Sequence, residues 1–185
     1  MGCGNSRETT VSPRKTCMQP RDIEDVQNIW AIVAGQKEKF GVFVYNKYDR
    51  FLSNEKEVRK LFPRLVMENG KEKFSVNELE LRRHALLVMD GLGLAVECLK
   101  DVDKLRHFLH IVGVRHSRVG VKSEMMMKLY PATEDALRKL LGRNFNNRIR
   151  RAWRAFFDYI VDCMKTAMIQ EERNACREQM KSMVK

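Results

Sequence analysis

Long apolar runs are missing from this chain. No stretch approaches the roughly 18 residues that a helix needs to cross a bilayer, so no transmembrane helix is expected. The first residues lack the apolar core of a secretory signal, which argues against export. Proline and glycine are also scarce, 4 and 10 among 185 residues, and they fall mostly at the ends of periodic segments, a pattern that favours helices. The five cysteines, Cys3, Cys17, Cys98, Cys163 and Cys176, are odd in number and have no paired spacing. That excludes a disulfide framework or a zinc finger and points to reduced thiols in a cytosolic setting. Negative charge is in deficit: 35 Lys and Arg face 24 Asp and Glu, a net charge of +11. No nucleic-acid-reading motif accompanies the excess, so no nucleic acid partner is expected. An anionic membrane face or simple solubility accounts for it equally well.

What is present is helical periodicity with an apolar fraction of 44%, enough for one globular core. Residues 1–20 are polar, broken by Pro13 and Pro20, and read as a flexible arm. Ile23, Val26, Ile29, Trp30 and Val33 then recur at helical steps as far as Gly35. A second helix is expected over 37–51, turning Phe40, Phe43, Val44 and Phe51 inward, and a short one from Ser53 to Leu61, closed by Pro63. Residues 68–73 form a polar loop. Ser75 with Glu78 reads as a capping box opening a helix whose buried face carries Leu79, Leu86, Val88, Met89 and Leu92. Asp101 or Asp103 caps the next helix, with Leu105, Phe108, Leu109 and Val112 inward, and Gly120 turns the chain. The last helices are expected over 123–141, kinked at Pro131 and stopped by Gly142, and over 147–168. The charged remainder, 169–185, is helix-prone. The fold class is all-α: seven or so helices, one domain over 21–168.

Four histidines could bind a metal: His84, His107, His110 and His116. His107 and His110 lie three apart but have no third ligand nearby, so a solvated face explains them better. His84 and His116 each sit in an apolar helical stretch on successive helices. Periodicity alone favours two hydrogen-bonded core histidines, yet such a pair also suits a flat apolar cofactor such as haem, which needs an axial donor and apolar walls.

Order and spacing tip that balance. Trp30, Leu61-Phe62-Pro63, His84, Val88, the segment from Val112 to Val121 around His116, and Arg151-Ala152-Trp153 follow one another as in globins. His84 lies 22 positions after Phe62 and 32 before His116. The chain therefore resembles the globin family over nearly all of residues 21–168, and its neuroglobin-like and globin X branches most. The resemblance implies haem b, with His116 as proximal ligand, His84 as distal ligand, Phe62 stacked on the porphyrin, and Val88 and Val121 lining the pocket. Tyr45 would point into the distal side, where a phenol can donate to bound dioxygen. Leu87 departs from the family, many of whose members carry a basic residue there for a haem propionate. Arg83 or Arg118 would have to replace it. The loop 68–73 has no cysteine for the disulfide switch of neuroglobin-like relatives.

The sequence opens Met1-Gly2-Cys3-Gly4-Asn5-Ser6, a myristoylation pattern at Gly2 with Cys3 placed for palmitoylation. Arg7, Arg14, Lys15 and Arg21 follow it, attractive to an anionic leaflet. The expectation is a globin tethered to the cytoplasmic face of a membrane, the plasma membrane first among candidates, with membrane lipids, dioxygen and other gases, and a cellular reductant as partners. Its role would be redox protection or signalling. Alternatives are a haem enzyme reducing nitrite or scavenging reactive oxygen, and a cofactor-free acylated helical adaptor. The basic cluster Arg148, Arg150, Arg151 and Arg154 reads as a solvated face.

Overall fold

The computed structural model describes residues 18–52, 60–68 and 74–183. The expectations for Gly2, Cys3, most of the arm, the segment 53–59 and most of the loop 68–73 lie outside those residues. Helix α1, Pro20–Ala34, starts with proline in its first turn, where the missing N–H costs nothing. It buries Val26, Ile29, Trp30 and Val33, the stripe expected from periodicity. The arm gives way sooner than Pro20: Met18 is already buried in the core. Helix α2, Lys37–Leu52, follows after a short turn and buries Phe40, Val44 and Tyr45.

A short two-stranded antiparallel ladder then interrupts the otherwise all-α chain. β1, Val66–Glu68, pairs with β2, Phe74–Val76, in the register Val66 to Val76, Met67 to Ser75 and Glu68 to Phe74. Ser75 is thus a strand residue, and the expected capping box is not formed. Asn77 caps the helix instead, its side-chain oxygen accepting from the Leu79 and Glu80 N–H groups at 3.1 and 3.3 Å. That helix, α3, spans Glu78–Glu97 and buries Leu81, Ala85, Met89 and Gly93 along one seam. Leu79 was expected on the buried face but is 58% exposed. Two residues from Leu81, it points about 200° around the helix, to solvent.

A 3-10 turn, Cys98–Lys100, leads to α4, Val102–Arg118, capped by the Asp101 carboxylate on the Lys104 N–H at 3.0 Å. The expected kink at Pro131 is a helix boundary. Short α5, Ser123–Met127, ends before it, and α6, Tyr130–Leu141, takes the proline into its first turn, the one place a helix accepts it without loss. Helix α7, Asn147–Met183, opens on Asn146, whose side chain accepts from the Arg148 and Ile149 N–H groups. It does not stop near Met168 but runs on through the charged tail, exposed except at Glu171, which pairs with Arg118 at 2.7 Å.

The core gathers around α7. Trp153 and Phe156 are fully buried against Val26, Val33, Leu105 and Leu109, and the Trp30 and Trp153 rings lie 6.5 Å apart. α4 lies along α7, and α2 packs on α3. These two pairs carry the two histidines of interest.

Candidate functional site

On the first pair, closeness depends on a missing side chain. A Cβ on Gly41 would stand 2.9 Å from Met89 Cγ and 3.2 Å from Ala85 Cβ, so α2 and α3 touch there. One turn beyond Gly41 is Tyr45, and beside Ala85 is His84. The contact therefore sets phenol against imidazole: Tyr45 Oη lies 3.0 Å from His84 Nε2, with ring centroids 5.0 Å apart at 82°. Phe62 meets the same imidazole edge-on, at 5.0 Å and 76°. Val88, one turn after His84, is half-buried against the core.

On the second pair the approach is closer still. A Cβ on Gly113 would stand 2.6 Å from the Met164 carbonyl oxygen, so α4 rides directly on the α7 backbone. Three residues on, the His116 Nδ1–H donates to the Val112 carbonyl at 2.8 Å. A carbonyl can only accept, so Nδ1 carries a proton, and in the neutral ring the lone pair then lies on Nε2, the arrangement seen when imidazole ligates a metal. Gly120, at φ 85, turns the chain back in a conformation that suits glycine, and the Val121 N–H donates to the His116 carbonyl at 3.0 Å. Val121 thus supports the helix end that carries His116.

The two imidazoles are within electrostatic reach of each other. Burial lowers the His84 pKa below its ordinary value, and the nearby His116 lowers it further. Both effects disfavour the charged form of His84 and favour the neutral ring, whose lone pair can ligate a metal. Two half-buried imidazoles on separate helices, among Phe62, Val88 and Tyr45, suit an iron porphyrin.

The remaining candidates are placed elsewhere. His107 and His110 are exposed beside Arg106 and Cys163, and no group of three metal-ligating side chains occurs among the described residues. Leu87 is 70% exposed, and its suggested substitutes are engaged: Arg83 with Glu80 at 2.9 Å, Arg118 with Glu171. In the basic cluster Arg148 pairs with the buried Asp25, Arg150 with Glu134, and Arg154 with Asp158 while covering the Tyr130 ring. Cys98, Cys163 and Cys176 are free thiols, and burial pushes the Cys163 thiol up. Sequence reasoning missed Gly41 and Gly113 as the contacts that position the site. A lone glycine inside a helical pattern was the available signal.

The globin family model matches residues 46–164, more than half of the chain. The chain belongs to the globin family. This globin is similar to the neuroglobins of Dissostichus mawsoni and Tetraodon nigroviridis, each 24% identical over 147 residues that cover 80% of this chain and 90% of the relative. It also resembles a solved structure, that of a hexacoordinated heme protein from an anhydrobiotic tardigrade. The TM-score is 0.69 at 18% identity, covering 83% of this chain and 96% of that one. The fold is a globin fold, its cofactor is haem, and its ligands are dioxygen and other small gases.

Proposed function

We propose that this globin holds haem between His116 and His84 and rests with both imidazoles on the iron. Bound haem would supply the gas-binding metal and its one-electron couple. The rest is the work of side chains. His116 presents Nε2 because its Nδ1 proton is committed to Val112, and this is the observation that carries the reading. His84 would hold the haem from the opposite side and would have to swing away before a gas could bind. Apparent affinity then falls with the fraction of molecules in which His84 is displaced. Phe62 and Val88 supply apolar walls, and the half-buried setting of His84 disfavours charge on its ring. The tardigrade heme protein that shares this fold is described as hexacoordinated, which supports a two-histidine reading. Such a site fits redox protection or signalling with an exchangeable reductant. The test is His116→Ala: haem should be lost on purification, while His107→Ala and His110→Ala retain it. Equal retention in all three overturns the ligand assignment.

The same proposal includes an acylated arm, carried by Gly2 and Cys3 in the sequence. One myristoyl chain gives only marginal, reversible membrane binding, and a palmitoyl chain on Cys3 would make it stable. Gly2→Ala should release the protein from membranes in cell fractionation, and Cys3→Ser should leave a weakly bound population. A Gly2→Ala protein that stays on membranes puts the anchor elsewhere.

A further inference from the structure

The distal imidazole is held by the atom it would need for iron. His84 Nε2 lies 3.0 Å from Tyr45 Oη in a part-buried bond, and Tyr45 itself is only 4% exposed. The direction of the proton does not matter. If the phenol donates, the Nε2 lone pair is occupied. If Nε2–H donates, the nitrogen has a proton to lose and its lone pair lies on Nδ1. Ligation breaks the bond in either case. The same imidazole is packed edge-on against Tyr45 and Phe62, so its swing is restricted by two rings as well as one hydrogen bond.

We infer that Tyr45 competes with the haem iron for His84 Nε2 and so holds part of the population open to gases. The inference rests on the two-histidine reading and adds a regulator to it. It assigns Tyr45 a positioning role opposite in sign to simple support of the distal ligand: the phenol weakens the His84 bond to iron. The size follows from one part-buried hydrogen bond, about three- to tenfold in an equilibrium.

Tyr45→Phe keeps the ring and its packing and removes only the hydroxyl. In the haem-loaded protein it should raise the low-spin, two-histidine fraction and lower apparent carbon monoxide affinity by roughly three- to tenfold. Carbon monoxide is the suitable probe because it makes little use of a hydrogen-bond donor. In a His84→Leu background the same substitution should leave carbon monoxide affinity unchanged, since the competitor is gone. In the haem-free protein, Tyr45→Phe should shift the His84 Nε2 resonance in nitrogen-15 spectra. Unchanged or raised carbon monoxide affinity, an effect that persists without His84, or an unmoved resonance each overturns the inference. A wild-type ferrous spectrum that is high-spin without added gas instead overturns the two-histidine reading beneath it.

Discussion

The two sides of the pocket are built by different means. His116 is anchored by backbone: its helix rests on α7 at Gly113, and its Nδ1 is fastened to a carbonyl of its own helix. His84 is held by side chains: the Tyr45 hydroxyl and the edges of two rings, on helices that meet through Met89 and Ala85. The Gly113 contact on the α7 backbone yields only when helices move, whereas the side-chain contacts of His84 yield to a rotation. On the proposed two-histidine reading, that difference would make His116 the permanent ligand and His84 the displaceable one.

Substitutions can break this contrast, and His116→Ala should have the largest effect because it takes away the ligand assigned to the fixed face of the haem. Gly113→Ala ranks next. Its new methyl would meet the Met164 backbone, which cannot rotate away, so stability should fall by about 1–3 kcal/mol, the usual range for overpacking. Thermal unfolding should show a Tm lower by several degrees, with faster haem loss. His84→Leu should cost less, retaining haem while changing the spectrum from low-spin to high-spin. Gly41→Ala should be smallest. The nearest atom is the movable Met89 side chain, and the strain of the 3.2 Å approach to Ala85 is offset by the helix preference for alanine of about 1 kcal/mol. Chemical denaturation should find it within about 1 kcal/mol of wild type. A Gly41→Ala protein less stable than Gly113→Ala would reverse the contrast.

Much of this was legible because it is local. Helical stripes such as Val26-Ile29-Trp30-Val33 declare their buried face, and the order of Trp30, Phe62, His84 and His116 along the chain carried the globin resemblance. The misses share a non-local cause. Ser75 and Asn77 both lead into the same helix, and the choice between them is made by strand pairing with Met67. The Tyr45 to His84 bond joins residues 39 apart, and Gly113 declares its role only when α7 is laid against it. Pro131 was ambiguous locally: kink and new start share one signature, and the turn after α5 selects the start.

The contrast between a fixed and a displaceable ligand is tested most directly by the absorption spectrum of the purified, haem-loaded ferrous protein under inert gas, wild type beside His84→Leu. The account predicts a low-spin spectrum for wild type and a high-spin one for His84→Leu, with haem retained in both. A wild-type spectrum that is high-spin, or one that stays low-spin without His84, would contradict it.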